Sequence, residues 1–264
     1  MASIVNEQRP PTRIEKFRRR RRRRVKRFGK NFIRGLNGFI SRQSKVDDLP
    51  VLDAAVFPFL KPLEDNWEVI RDELNSILKH RDKIPAFHKL SPDQKRISTG
   101  DKWQTFALYG FGTKAEQNCS HCPETTRLLE QVPNMRTAFF SILSPHYHIK
   151  AHRGVTKTLL RCHLGLIVPK EKGACRMRVD DVTFEWNEGK AIVLDDTFDH
   201  EVWNDSSEDR VVLLFDFDRP MGLFGRLLNR IFISGLKLTA YYRDPAKNLE
   251  RLEKSFNDAL AGDK

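Results

Sequence analysis

Two histidines, His152 and His200, close two short β-rich runs about 50 positions apart. Imidazole is a good iron ligand, and non-haem Fe(II) sites commonly join two histidines to one carboxylate. Here the position two after His152 is Gly154, where such a site carries an acid. On spacing alone, two such histidines are more often structural than ligands. Their neighbours add weight. Arg161 and His163 alternate to one face of the apolar run TLLRCHLGLIV, and Arg210 stands ten residues after His200, at the head of the next β-rich run. A buried guanidinium is costly without an anion, and its planar fork matches a carboxylate, so the set suits a dicarboxylate such as 2-oxoglutarate. Each arginine alone would serve equally well as half of a core ion pair.

Histidines this far apart meet only where a fold brings strand ends together, as a β-barrel does. From about Ala138 the chain breaks into short β-rich segments (AFFSIL, TLLRCHLGLIV, ACRMRV, VTFEW, KAIVL and RVVLLFDF) separated by turn residues. Many short strands in series predict an antiparallel barrel or sandwich. Helical spacing marks Asp65 to His80, where Trp67, Ile70, Leu74, Ile77 and Leu78 share a face, and Glu124 to Gln131 between two prolines. Beyond Pro220, Leu223, Leu227, Leu228, Ile231 and Phe232 with Arg226 and Arg230 make a basic amphipathic stretch. Its first reading is a helix packed on the barrel, and its second a membrane contact.

Charge divides the chain. Residues 1–45 hold 16 of the 47 Lys/Arg, including seven consecutive arginines from Arg18, against two Glu, so this stretch carries +14 and the rest −2. A near-neutral domain is a poor general binder of polyanions, which argues against a nucleic-acid surface and assigns the basicity to a tail. Within the tail Val25, Phe28, Phe32, Leu36 and Phe39 recur at helical spacing among Arg27, Lys30 and Arg34, the pattern of a helix lying in a membrane interface. A solvated arm, an RNA contact or a transit peptide are the other readings. Three parts follow: a basic amphipathic tail (1–45), a barrel domain (46–245) and a C-terminal helix (246–264). Four cysteines are too few for a disulfide scaffold, and Cys119-x-x-Cys122 lacks the second pair that a zinc site needs. No run is apolar for the roughly 18 to 20 residues that span a bilayer. Cytoplasmic residence, peripheral to the inner face of the membrane, is the expectation.

The sequence resembles the aspartyl/asparaginyl β-hydroxylases. The resemblance rests on SILSPHYHIKAHRG (141–154), LLRCHLGLIVPKE (159–171) and WNEGKAIVLDDTFDHEVWN (186–204) followed by Arg210, and more loosely on GDKWQTFALYG and CPETTRLLEQVP. It implies a mainly β fold, a double-stranded β-helix of jelly-roll or cupin type with flanking helices. It also implies an Fe(II) dioxygenase with 2-oxoglutarate and O2 as cosubstrates. In this family two histidines hold iron with no carboxylate ligand, so Gly154 fits. By position, the resemblance assigns His152 and His200 to the metal and Arg210 and Ser141 to the far carboxylate of 2-oxoglutarate. Arg161 and His163 fall at its near end, Trp103 beside it, and Asp196 on a metal-bound water; a turn residue is the plain alternative for Asp196. KPLEDNWEVIRDEL and FDFDRPMGLFGRLLNR are similar to the branch that hydroxylates acyl chains of ornithine lipid or lipid A, although lipid A hydroxylases carry Asp where Gly154 stands. A membrane lipid is therefore the expected substrate, with an amino-acid or peptide substrate as the alternative. A non-catalytic barrel with a nucleic-acid-binding arm is the reading from another class.

Overall fold

The computed structural model describes residues 35–91, 95–110, 112–237 and 240–262. Most of the basic tail, with its arginine run, lies outside the described residues. The strands are β1 (Val51–Leu52), β2 (Trp103–Gly110), β3 (Thr113–Lys114), β4 (Met135–Leu143), β5 (Tyr147–His152), β6 (Leu159–Ile167), β7 (Cys175–Val179), β8 (Val182–Phe184), β9 (Ala191–Leu194), β10 (His200–Asn204) and β11 (Arg210–Asp218). One sheet runs β1-β9-β6-β11-β4-β2-β3 and faces a second of order β5-β10-β7-β8. From β4 to β11 the chain crosses between the sheets at every step except the β7–β8 hairpin, and the strand pairs are antiparallel. That winding is the double-stranded β-helix. It carries both histidine-bearing strand ends to the same edge of the smaller sheet, where His200 pairs with His152.

Period-two alternation sorts the larger sheet into two layers. In β11, Val211, Leu213, Phe215 and Phe217 turn outward and join Phe106, Phe140 and Leu164 in a core closed by helices. Its other face, with Val212 and Leu214, meets Met177, Val179 and Val202 of the smaller sheet. Both faces of β11 are covered, which is why its sequence is almost continuously apolar, and why Arg210 and Asp216 on its inner face stand out.

Helices α2 (Lys61–Asp65) and α3 (Trp67–Leu78) cover the outer face, with Ile70, Leu74 and Ile77 buried. The short α4 (Phe87–Leu90), α5 (Glu116–Ser120) and α6 (Pro123–Leu129) follow. Residues 35–43 form α1, whose Ile40 is buried, while the Lys45 amide donates to the Pro220 carbonyl. The last part of the stretch read as a tail is thus built into the domain. The C-terminal helix α8 spans Ala240–Ala261, starting ahead of residue 246 and containing Pro245, and it buries Leu249 and Phe256. The helix α7 (Leu223–Lys237) packs on its neighbours through Gly225, Asn229 and Ile233, which are buried, whereas Leu223, Leu227 and Ile231 of the apolar stripe read from sequence face outward. Among the described residues no helix is long and apolar enough to cross a membrane.

Candidate active site

The imidazoles of His152 and His200 lie 4.1 Å apart between ring centroids. A regular strand would send Ile149 and His152 to opposite faces. The β5–β10 pairing contains a register shift, so that Val202 meets Ile149 while His200 meets His152, and the extra residue on β5 lets both side chains turn inward. Each ring is then fixed by the carbonyl two residues before it: Nδ1 of His152 lies 2.8 Å from the Lys150 carbonyl, and Nδ1 of His200 lies 2.9 Å from that of Phe198. A carbonyl can only accept, so Nδ1 carries the proton and each Nε2 is left with a lone pair. Burial pushes both histidines down to about 4, with each other's company adding to the shift at His152, which keeps the lone pairs unprotonated at neutral pH. These are two neutral, oriented nitrogen donors, and that donor set fits a divalent metal. Among the described residues no group of three or more His, Cys, Asp or Glu forms a further metal arrangement.

Deeper between the sheets lies a second polar group. Arg210 is 2% exposed, yet its Nε and Nη1 have no hydrogen-bond acceptor among the described residues. Its guanidinium stacks over Trp186, 4.7 Å from the ring centroid, with the Cys175 thiol beside it, and burial lowers it to about 10. Trp186 Nε1 donates to His163 Nδ1 (3.3 Å), which leaves the buried His163 Nε2 without a partner. Burial and the charge of Arg210 hold His163 well below its ordinary value. Across the sheet, Trp103 Nε1 donates to Ser141 Oγ (3.1 Å) and so frees the Ser141 hydroxyl proton for another acceptor. A cation with unused donors beside an unused imidazole nitrogen is expensive to bury, and an incoming carboxylate is what it lacks. The residues present fit a dicarboxylate.

Arg161 differs, because it already has its anions. Its Nε and Nη2 donate to Asp216 (2.8 and 3.1 Å), and its Nη1 stands 3.3 Å from Asp196. Asp216, which also accepts from Thr137 Oγ1, was not foreseen as part of the site; its signal is an acid on the inner face of an otherwise apolar strand, directly opposite Arg161. The structure also separates the two neighbouring aspartates. Asp195 is the turn residue: it accepts from the Thr197 amide and hydroxyl and pairs with the buried Arg219. Asp196 points instead toward Arg161 and His152, and burial raises its carboxyl against the pull of Arg161.

Asp196 also explains the glycine. The Gly154 amide donates to the Asp196 carbonyl at 2.6 Å, and a Cβ on Gly154 would stand 2.7 Å from Asp196 Oδ2 and closer still to Oδ1. The space in which a third ligand would grow from position 154 is filled by a carboxyl that arrives from position 196. Gly154→Ala is therefore expected to lower turnover about 100-fold, the scale of an ångström-sized misplacement near the reacting atoms, with little change in melting temperature. Turnover within twofold of wild type would show that Asp196 has no fixed place in the site.

Past His152 the site opens into a cleft of about 160 Å³, and Arg161, Asp196 and Asp216 line it beside apolar walls from Phe87, Leu90, Ile97, Phe139, Leu159 and Leu214. Phe87 stacks on Trp103 with centroids 4.1 Å apart, so α4 closes one wall over the barrel mouth. The loop with Arg153, Val155 and Thr156 forms the opposite lip.

Residues 64–220 match the family Aspartyl/Asparaginyl beta-hydroxylase. The chain belongs to this family. It is 39% identical over 215 residues to the ornithine lipid ester-linked acyl 2-hydroxylase of Rhizobium tropici, a match covering 81% of this chain and 76% of that one. It is 37% identical over 166 residues to the aspartyl/asparaginyl beta-hydroxylase of Homo sapiens, covering 61% of this chain but only 21% of the human protein. Aspartate beta-hydroxylase domain-containing protein 2 of Homo sapiens is 35% identical over 170 residues, covering 60% of this chain and 44% of its own. The match to the Rhizobium protein thus covers more of this chain than either human match does.

Proposed function

We propose that the protein is an Fe(II)- and 2-oxoglutarate-dependent hydroxylase of an acyl chain in a membrane lipid, of the ornithine-lipid type. The observation that carries the lipid reading is the apolar wall of the cleft, formed by Phe87, Leu90, Ile97, Phe139, Leu159 and Leu214 next to His152. A charged amino-acid side chain would lose hydration against such a wall, whereas an acyl chain gains roughly 0.8 kcal/mol for each methylene buried. The similarity to an ornithine lipid acyl hydroxylase over most of both chains supports the same reading.

Except for Arg161, whose nitrogens already meet Asp216 and Asp196 and whose role follows from its place in the family pattern, the roles follow from what each side chain has free. His152 and His200 would hold iron through Nε2. Arg210 and the Ser141 hydroxyl would take the far carboxylate of 2-oxoglutarate, with Trp103 acting through Ser141. His163 Nε2 and Arg161 would meet the near end, Arg161 being held in place by Asp216. Asp196 would hold a water next to the metal and offset its charge. When bound, iron and 2-oxoglutarate supply the oxidising power: with O2 the keto acid becomes succinate and CO2, and one oxygen atom enters a C–H bond. The protein's own share is to orient the cosubstrate and keep bulk water from the cleft.

The test is reconstitution with Fe(II), 2-oxoglutarate and detergent-dispersed lipids. Expected is succinate release stimulated by an amino-acid-containing lipid, with one oxygen gained on an acyl chain by mass spectrometry. Stimulation by an aspartyl peptide or free aspartate, and not by lipid, overturns the lipid reading in favour of an amino-acid hydroxylase.

A further inference from the structure

Helix α7 buries one narrow face, and among the described residues nothing covers its second, apolar face. Leu223, Phe224, Leu227 and Ile231 are 80, 58, 55 and 61% exposed. At helical spacing they fall within about 100° of arc, and the exposed Arg226 and Arg230 flank that stripe on one side. Single exposed leucines need no explanation, but a contiguous stripe edged by arginines does. We infer that this face of α7 docks the enzyme on an anionic bilayer surface, with Leu223, Phe224, Leu227 and Ile231 entering the acyl boundary and the arginines resting at the headgroups.

Two observations choose a bilayer as the occupant. The first is charge. Residues 1–34 hold 14 Lys/Arg against two Glu, which equals the whole net charge of +12, and they lead directly into α1. α1 packs beside α7, with Phe39 edge-on to Phe224 at 6.1 Å and Ser44 bridged to Met221. Wherever the basic segment lies, it joins the domain at this stripe, so apolar insertion and anionic attraction act at one place. The second is position. Asn37 of α1 donates to the Val155 carbonyl and accepts from the Lys157 amide. It thus holds the loop that forms one lip of the cleft, and Val155 on that lip is itself exposed. A surface touching α7 and α1 is also next to the opening through which an acyl chain would enter. This placement rests on the lipid reading above, whereas docking itself does not.

The experiment uses the full chain and vesicles of phosphatidylcholine mixed with phosphatidylglycerol. Cys119, Cys122, Cys162 and Cys175 are all buried, so a Leu227→Cys variant can be labelled selectively with an environment-sensitive dye. On vesicles the dye should shift to the blue. In about 1 M salt, where screening acts within roughly 3 Å, wild type should keep a bound fraction. The variant Leu223→Glu/Leu227→Glu/Ile231→Glu should lose at least about tenfold in that salt-resistant binding. Equal binding of the two proteins in high salt, or no shift of the dye on vesicles, overturns the proposal. So does a blue-shifted dye without vesicles, whether reversed by dilution, which points to a second copy, or by Phe28→Glu/Phe32→Glu, which points to the chain's own basic segment. Docking as expected without lipid hydroxylation in detergent leaves the proposal standing and removes the substrate reading. Hydroxylation in detergent with no stripe-dependent docking does the reverse.

Discussion

Replacing either His152 or His200 with alanine is expected to abolish iron uptake and, with it, 2-oxoglutarate turnover. Partners that merely orient a metal ligand typically cost about 10- to 100-fold in metal affinity when removed. With only two protein donors, loss of one should exceed that and leave turnover at background. The fold should survive. Both rings are neutral groups held by backbone carbonyls two residues before them, so each variant loses a polar side chain and not a cross-linking contact. His148→Ala is the control, because His148 lies on the same strand but faces outward, stacked on Trp203 and paired with Glu201. Iron content and succinate formation, measured beside melting temperature, decide the matter. Undiminished turnover in either ligand variant would remove the assignment.

The parts of this site that could be read from sequence are those that obey strand alternation. Arg161 and His163 share a face because they are two apart in β6, and Arg210 stands out because its strand is otherwise apolar. The parts that could not be read depend on pairing between distant strands. Nothing local to β5 announces the extra residue that turns His152 inward together with Ile149. Asp216 is visible as an acid in an apolar run, but its partner is set by the β11–β6 register, which places it opposite Arg161. Trp186 lies outside every strand, and its contacts with His163 and Arg210 arise only when the chain is wound. β2 was noticed for its family likeness and not as a strand, because Gln104 and Thr105 interrupt its apolar pattern; both are buried, and Gln104 is satisfied by the Arg81 and Ile84 carbonyls. At α7 helical periodicity found the helix but could not say which of its faces meets protein.

Arg210→Met is expected to move binding and stability in opposite directions. The guanidinium is buried with two nitrogens lacking acceptors, and among the described residues no carboxylate is paired with it. Exchanging an uncompensated buried cation for an apolar side chain of similar length should leave stability unchanged or raise it by about 1–3 kcal/mol. On the proposed role, the same change would remove from 2-oxoglutarate a charge-assisted bidentate partner in a desolvated site. That is a loss of about 2–5 kcal/mol, or roughly 30- to several-thousand-fold in affinity. The two readings of Arg210 part here, since an arginine kept for structure would cost stability when removed and leave the cosubstrate untouched. Thermal melting with and without added 2-oxoglutarate reads both quantities at once, because a ligand that binds only the folded state raises stability by RT ln(1 + [L]/Kd). Wild type should melt higher as 2-oxoglutarate is added, and Arg210→Met should start at least as high and gain nothing over the same range. An equal gain in both proteins would place the carboxylate away from Arg210. A large drop in the variant's unliganded melting temperature would mean that the charge has a partner in the folded chain, and that its unmet donors are not held in reserve for a ligand.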